Sequence, residues 1–370
     1  MSDLQLDQGA TKRVRHFQVR CECFLDADGT VHGDLPTFAR DRSEVVGLYE
    51  AMLVTRSFDE KAVALQRTGR LGTFASSLGQ EAVGVGLASA MQSDDVLVPS
   101  FRDQGAQLWR GVTMEELLLY WGGDERGSDF SGPREDFPVS IPVASHTLHA
   151  TGIALALKLR GERRSVVCVF GDGATSKGDF YEALNLAGIW QLPVVFVVSN
   201  NRWAISVPRE AQTAASTLAQ KAIAAGMEGV QVDGNDVFAV RHVVEVALAR
   251  AATAPTLVEA LTYRLGDHTT ADDASRYRDD EQVSARWKQE PVARLKHYLT
   301  EHFNWTKQEE EALLERARER VEEAARRYLE TPVLPASAMF DHLYERLPTA
   351  IAGQRAEVAA RTSHGPRDGD

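Results

Sequence analysis

The residues best suited to chemistry in this sequence are an acidic triplet, Gly171-Asp172-Gly173, and an amide pair, Asn200-Asn201. A carboxylate and a neutral amide oxygen suit a hard cation such as Mg²⁺ and no thiophilic metal. Mg²⁺ usually completes its shell with phosphate and water, and glycines let a phosphate approach the backbone. Either motif alone is typical of an ordinary strand-to-loop turn. Together they predict a clamp, meaning these five residues, for a magnesium-bound diphosphate.

The clamp needs two neighbouring strands to position it. Its halves follow short β-branched runs, 166–170 and 194–198, which are typical of strands buried on both faces. Between them, residues 179–190 repeat apolar side chains with a helical period. Strands joined in this way run parallel and share one edge at their carboxyl ends. We therefore expect Asp172 and Asn201 to meet there, with the helix start near Asp179 offering free N–H groups to phosphate.

The rest of the chain continues the alternation of strands and helices. We expect an α/β fold, a doubly wound, mostly parallel sheet with helices on both faces. Helices are predicted from Ser43, as N-cap, and over 80–91 and 147–159, and strands over 96–98, 229–233 and 256–262. The predicted organisation is an N-terminal arm lying over the domain (1–42, with a turn at 26–29), a cofactor-binding α/β domain (43–290), a helical C-terminal region (291–350) and a disordered tail (351–370).

Composition narrows the functional classes. The 370 residues are 44% hydrophobic, enough for a large core, and a net charge of −12 argues against nucleic-acid binding. No run of about 18 apolar residues and no signal peptide is present, so we expect neither a membrane span nor export, and a cytoplasmic location. Cys168 lies in a predicted strand and should pack in the core, whereas Cys21-Glu22-Cys23 lacks the second ligand pair of a zinc site.

Two further side chains should reach the same sheet edge. Arg102 follows the apolar run 96–98, and its planar cation suits a diphosphate oxygen, although an exposed structural arginine is the alternative. His268 follows the predicted strand 256–262 in a polar loop. A loop histidine is more often solvated or capping, but one that rises beside the clamp is a candidate active-site imidazole.

These motifs resemble the alpha subunit of the decarboxylating first component of 2-oxo-acid dehydrogenase complexes. Gly-Asp-Gly, then about thirty residues, then Asn-Asn is that family's thiamin diphosphate signature. The similarity covers roughly 43 to 345 and includes Arg70-Leu71-Gly72, Gly79-Gln80-Glu81-Ala82, Val232-Asp233-Gly234-Asn235-Asp236, Thr262-Tyr263-Arg264 and Tyr277-Arg278. The resemblance implies that Asp172, Asn201 and the carbonyl oxygen of Trp203 bind Mg²⁺, which bridges the diphosphate of thiamin diphosphate.

The resemblance also implies a role for each residue of the cofactor pocket. These are Phe101, Arg102, Ile141, Val143, Gly171, Asp172, Gly173, Ala174, Asn201 and His268. Many relatives have tyrosine in place of Phe101, so a hydrogen bond worth about 1 kcal/mol is missing. Ile141 and Val143 should support the aminopyrimidine, and His268 should stabilise the charged intermediate or help pass it to the lipoyl group.

Two regulatory or ionic features of the family are left open by the sequence. Thr269 matches a site that is phosphorylated in animal relatives. Relatives of the branched-chain type have a glutamine near His146 that helps bind a monovalent cation, and whether such a site persists is not fixed by these residues.

The implied activity requires more than this chain. Thiamin diphosphate chemistry needs a carboxylic acid against the pyrimidine, and enzymes made of one chain carry it on a second α/β domain. Only one such domain fits here, so we expect the acid from another polypeptide. The resemblance implies a beta subunit in an α₂β₂ heterotetramer, docked on a lipoyl acyltransferase core.

The substrate is expected to be a 2-oxo acid, with pyruvate favoured. Residues 175–181 look like the pyruvate type, whereas 232–240 and 271–273 look like the branched-chain type. An acetoin dehydrogenase alpha subunit is a further alternative. A nicotinamide-dependent dehydrogenase is disfavoured because no Gly-x-Gly-x-x-Gly opens a strand-helix unit. A catalytically silent regulatory subunit is disfavoured because Asp172, Asn201 and His268 are all present.

Overall fold

The computed structural model describes residues 16–341 and 343–362, and it divides into two compact units that meet in sequence between Ala325 and Arg326. The strands of the described residues are β1 Cys21–Glu22, β2 Val96–Val98, β3 Val166–Gly171, β4 Val194–Asn200, β5 Trp203–Ala204, β6 Val207–Pro208, β7 Glu228–Asp233 and β8 Thr256–Leu261. The helices are α1 Arg42–Arg67, α2 Glu81–Ala90, α3 Gln104–Trp109, α4 Met114–Trp121, α5 Ser145–Arg160, α6 Gly178–Trp190, α7 Arg209–Gln212, α8 Val237–Ala251, α9 Asp280–Trp287, α10 Pro291–Phe303, α11 Lys307–Glu330 and α12 Thr349–Thr362. Short 3-10 helices cover Thr37–Arg40, Glu125–Ser128, Asp172–Ser176, Ala219–Ala225, Ala274–Arg276 and Ala336–Phe340. Among these described helices, none is long and apolar enough to cross a membrane.

Six strands of the first unit form one parallel sheet in the order β1-β7-β8-β4-β3-β2. β3 and β4 are neighbours, and Gly171 pairs with Ser199 in their register. This confirms the predicted strand-helix-strand unit, with α6 as its helix. β5 and β6 form a separate antiparallel hairpin just after β4.

Helices cover both faces of the sheet. Along β3, Val166, Cys168 and Phe170 belong to the core that includes α5 and α6, whereas Val167 and Val169 belong to the core that includes α2 and α8. Alternate residues of a strand point to opposite faces, so burial on both sides accounts for the uninterrupted β-branched runs. The predicted doubly wound fold and the core position of Cys168 are confirmed.

The helix over 80–91 packs as closely as its small residues predict. A Cβ built on Gly86 of α2 would lie 2.8 Å from the Cβ of Val240 on α8. No side chain fits between the two helices at this position. The glycine therefore sets their separation.

The N-terminal segment differs from the predicted arm. β1 is an edge strand of the main sheet and pairs with β7. The carboxylate of Asp236 accepts hydrogen bonds from the backbone N–H groups of Phe24 and Leu25, each at 2.7 Å. The turn at 26–29 is confirmed by the hydrogen bond from Gly29 N to Asp26 O at 3.0 Å. Residues 16–42 thus extend the α/β domain, and the rest of the predicted arm, 1–15, lies outside the described residues.

The first long helix begins earlier than predicted. Asp41, and not Ser43, is the N-cap of α1, and its carboxylate accepts from the Ser43 backbone N–H at 2.8 Å and from the Ser43 hydroxyl at 2.7 Å. A carboxylate at this position also interacts favourably with the helix dipole. The sequence correctly indicated a cap here, but two residues separated by Arg42, Asp41 and Ser43, could each supply it.

The C-terminal tail also differs from the prediction. Within the second unit, α12 occupies much of the segment 351–370 that was predicted to be disordered. Its alanines favour a helix, and Arg355 pairs with Asp341 at 2.6 Å. Residues 363–370 lie outside the described residues. The polar composition of the tail was therefore a poor guide to its secondary structure.

Candidate cofactor site

The two halves of the clamp come together at the carboxyl edge of the sheet. Gly171 ends β3, and Asn201 directly follows β4. A Cβ built on Gly173 would lie 2.8 Å from the Cβ of Ala204 in the β5–β6 hairpin. The turn that carries Asp172 therefore touches the segment that carries Trp203. Any larger residue at position 173 would separate them.

The carboxylate of Asp172 is almost fully enclosed. Asp172 is 1% exposed, and its Oδ2 accepts a hydrogen bond from Gln212 Nε2 at 2.7 Å. Burial raises the pKa of Asp172, although the Gln212 hydrogen bond opposes this effect. Within the described residues it has no ion-pair partner. The charge of Arg264 also stabilises the carboxylate, but without a direct ion pair an enclosed carboxylate is costly, so the position fits a bound cation.

Asn201 lies beside it and is also enclosed. Its side chain is held by two contacts, from Nδ2 to Gln80 Oε1 at 3.0 Å and from the Trp203 backbone N–H to Oδ1 at 3.2 Å. The Trp203 carbonyl accepts from Arg264 Nη1 at 3.3 Å. Amide and carbonyl oxygens each have two lone pairs, so each can accept these bonds and still face a cation. The donor set at this edge fits Mg²⁺.

The helix expected to start near Asp179 is present as α6, but a second helical segment lies between it and β3. The 3-10 helix Asp172–Ser176 intervenes, and α6 begins only at Gly178. The N–H groups nearest the clamp therefore belong to the 3-10 helix. Ala174 is buried, whereas a Cβ on Gly171 would meet nothing within 4 Å. This open side of Gly171 leaves room for a phosphate group.

His268 is a neutral imidazole with a defined tautomer. Its Nδ1 lies 3.0 Å from Arg102 Nη2 and 3.3 Å from Arg264 Nη1. Arginine can only donate, so Nδ1 accepts and the ring proton is on Nε2. Burial, with the charges of Arg102 and Arg264, lowers the pKa of His268 to about 4. At neutral pH this imidazole is an uncharged hydrogen-bond donor.

The structure places Phe101 and Arg102 against this histidine. Arg102 donates from Nη1 to Ser76 O at 2.7 Å and from Nη2 to His268 O at 2.5 Å. The Phe101 ring meets the imidazole edge-on, with 6.0 Å between ring centroids. Burial lowers the pKa of Arg102 to about 9, so its cation persists at neutral pH. Arg102 holds the histidine loop, and its expected contact with diphosphate stays a prediction.

Ile141 and Val143 lie in the segment that precedes α5. They are 51% and 46% exposed, unusual for large apolar side chains. His146 fixes the start of α5 to the end of β3 through a hydrogen bond between Nε2 and Val169 O at 2.7 Å. The segment is therefore at the carboxyl edge, and its exposed side chains are free to contact a ligand. Their support of an aminopyrimidine stays a prediction.

Three residues of the site did not emerge as candidates from the sequence. Gln80 and Gln212 contact the clamp from distant parts of the chain. Arg264 donates to the Trp203 carbonyl oxygen and to Nδ1 of His268, and so connects these two residues. Gln80 and Arg264 belong to motifs that are shared with the resembling family, and nothing else in the sequence indicated that they lie in the site. For Gln212 nothing in the local sequence indicates a contact with Asp172, because it arises from tertiary packing.

Comparison with known proteins shows the family of this chain. A family model described as "Dehydrogenase E1 component" matches residues 49–337. A 3-methyl-2-oxobutanoate dehydrogenase subunit alpha from Mycobacterium tuberculosis is 40% identical over 337 residues, 90% of each chain. A pyruvate dehydrogenase E1 component subunit alpha from Staphylococcus epidermidis is 37% identical over 357 residues, 95% of this chain and 96% of the relative. The chain therefore belongs to the family of E1 component alpha subunits of 2-oxo-acid dehydrogenases.

Proposed function

We propose that this chain binds magnesium and thiamin diphosphate and, with a partner subunit, catalyses oxidative decarboxylation of a 2-oxo acid. The observation that carries the proposal is the enclosed Asp172 carboxylate, which lies with Asn201 at the carboxyl edge of the adjacent strands β3 and β4. Membership of the family supports the same cofactor. In this proposal Asp172, Asn201 and the Trp203 carbonyl hold Mg²⁺, and the open turn at Gly171 admits the diphosphate.

When bound, thiamin diphosphate supplies the carbanion chemistry by which a 2-oxo acid loses carbon dioxide. The residues of this chain position and stabilise the reactants. His268 donates from Nε2 toward oxygen atoms that gain negative charge, while Arg102 and Arg264 keep Nδ1 deprotonated. Because its pKa is about 4, His268 acts as a donor and not as a cation at neutral pH.

The activity should require a second polypeptide. The described residues contain one six-stranded sheet with one clamp, and the relatives named above are called alpha subunits. We infer that a beta subunit supplies the carboxylic acid that activates the pyrimidine, in an α₂β₂ assembly. That assembly would pass its acyl group to the lipoyl group of an acyltransferase core.

The natural substrate is proposed to be pyruvate, on the strength of residues 175–181. The alternative is 3-methyl-2-oxobutanoate (2-oxoisovalerate), which the M. tuberculosis relative favours by its name and its 40% identity. The two relatives are too similar in identity to decide between them. An acetoin dehydrogenase alpha subunit has no specific observation in its favour.

The test is reconstitution of the chain with a beta subunit encoded in the same genome. Carbon dioxide release is measured from pyruvate and from 3-methyl-2-oxobutanoate, with and without thiamin diphosphate and Mg²⁺. The proposal expects cofactor-dependent release that neither chain gives alone, with the larger kcat/KM for pyruvate. A larger kcat/KM for 3-methyl-2-oxobutanoate would show that the branched acid, and not pyruvate, is the preferred substrate. Robust activity of the isolated chain would contradict an active site divided between two subunits.

A further inference from the structure

We propose that Gln80 and Gln212 are positioning residues that determine which oxygen atoms of Asn201 and Asp172 are presented to the metal ion. The inference rests on the proposed function, because it takes those two side chains as the Mg²⁺ ligands. It concerns two residues that lie behind the ligands and act through hydrogen bonds to them.

Gln80 controls the orientation of the Asn201 amide. Its Oε1 accepts from Asn201 Nδ2 and from the Ser199 hydroxyl, both at 3.0 Å. An amide donates only through nitrogen and accepts only through oxygen. With Nδ2 held by Gln80, Oδ1 faces away from it. If the amide turned over, it would offer N–H groups to the cation, which would repel it.

Gln212 restricts the Asp172 carboxylate in a complementary way. Its Nε2 donates to Asp172 Oδ2 at 2.7 Å and to Val207 O at 3.2 Å. Both partners can only accept, so the nitrogen of this amide must point toward them. This bond uses one acceptor site of Oδ2 and none of Oδ1, so it makes the two carboxylate oxygens unequal toward a cation and favours Oδ1 as the ligand. One glutamine thus acts as an acceptor and the other as a donor.

Each glutamine makes these contacts at a cost to the fold. Gln80 Nε2 and Gln212 Oε1 are buried without a hydrogen-bond partner in the described part of the structure. A buried, unpaired amide atom destabilises a protein, and an apolar side chain of similar length would avoid the penalty. Each amide nevertheless satisfies a buried polar atom of a ligand residue, Asn201 Nδ2 or Asp172 Oδ2, so its favourable contacts are made to the groups whose orientation it fixes.

The proposal predicts that position 80 tolerates glutamate better than methionine, and that position 212 tolerates methionine better than glutamate. Gln80→Glu keeps an acceptor for Asn201 Nδ2, whereas Gln80→Met removes it. Gln212→Met removes the donor, and Gln212→Glu also sets a carboxylate against Asp172. Loss of groups that orient metal ligands typically weakens metal affinity by about 10- to 100-fold. We therefore expect Gln80→Met and Gln212→Met to weaken binding about 10-fold, Gln212→Glu about 100-fold, and Gln80→Glu less than about 3-fold.

The readout is the dissociation constant of Mg²⁺, measured by calorimetry in the assembled α/β protein with saturating thiamin diphosphate. Thermal unfolding of the same variants without ligands follows stability separately. Gln107→Met is the matched control, because Gln107 also has a buried, unpaired Nε2 but makes no contact with the clamp. It should leave Mg²⁺ affinity unchanged. Equal affinities for the Met and Glu variants at each position, or no loss in any of them, would overturn the inference.

Asp172→Ala separates failure of this inference from failure of the proposed function. If Asp172→Ala abolishes Mg²⁺ binding while all glutamine variants bind normally, only the positioning role is wrong. If Asp172→Ala itself binds Mg²⁺ as the wild type does, the proposed metal site is wrong and the positioning role falls with it. If Gln212→Glu does not fold, Gln212→Met and the two Gln80 variants still decide the matter.

Discussion

Replacing Asp59 with asparagine should stabilise the protein, and only above acidic pH. Asp59 lies on α1, fully enclosed beneath the loop whose Ser76 carbonyl holds Arg102. Its Oδ2 accepts from the Ser76 hydroxyl and from the backbone and hydroxyl of Ser77, while Oδ1 is buried without a partner among the described residues. Burial raises the pKa of Asp59 from 3.8 to about 7. Asparagine keeps the accepting oxygen and removes the charge.

The sign and size of the effect follow from that shift. Between pH 4 and 7 Asp59 binds more protons in the native state than in the unfolded chain, so its contribution to the free energy of unfolding decreases as pH rises through this window. A shift of about 3 pKa units, at 1.36 kcal/mol each, gives a ceiling of roughly 4 kcal/mol. Asp59→Asn should match the wild type near pH 4 and exceed it by up to that amount at pH 8.

The assay is urea unfolding of both proteins at pH 5, 6, 7 and 8, followed by circular dichroism. Asp34→Asn, at an exposed aspartate, is the control and should show no such divergence. Only the difference between Asp59→Asn and wild type matters, since every other titrating group is shared. A difference that stays constant from pH 5 to 8 would refute the reasoning about burial of the carboxylate.

Three further predictions concern the cofactor site. Asp172→Ala should abolish Mg²⁺-dependent binding of thiamin diphosphate in the assembled enzyme, and unchanged affinity by calorimetry would contradict the clamp. His268 should titrate near pH 4 and not near 6.5, because burial and two arginines oppose its protonation; nuclear magnetic resonance of the ring nitrogens, with His268→Gln for assignment, measures this. Phe101→Tyr should tighten cofactor binding about five-fold, the equivalent of one hydrogen bond of about 1 kcal/mol, with Phe101→Leu as the control that gains nothing.

The parts of this protein that were predictable from sequence are those set by local patterns. The buried runs around Cys168 and Val197 mark strands covered on both faces, and two such strands with a helix between them must bring their ends together. This reasoning places Asp172 and Asn201 correctly. The same reasoning expected His268 at this edge, where the structure joins its loop to the site through Arg264, and the family resemblance added its implied role.

The parts that were missed depend on contacts between distant segments. β1 is too short to show a strand period, and it exists because β7 offers an unpaired edge. Gln212 reaches Asp172 across the fold, and Arg102 turned toward His268 because Ser76 O and His268 O both accept from it. The local sequence encodes neither the contact of Gln212 with Asp172 nor the contact of Arg102 with His268.

The strand order carries a consequence for synthesis on the ribosome. β4, buried on both faces, pairs on one side with β3 and on the other with β8, residues 256–261. A nascent chain that has emerged only as far as residue 255 leaves the backbone N–H and C=O groups on one edge of β4 unpaired, a ready template for pairing with another chain. It also lacks the backbone bonds by which Thr262 and Arg264 hold Asn200 and Asn201. Chains truncated before β8 should therefore aggregate and depend on chaperones, and cofactor can be captured only after β8 has been released.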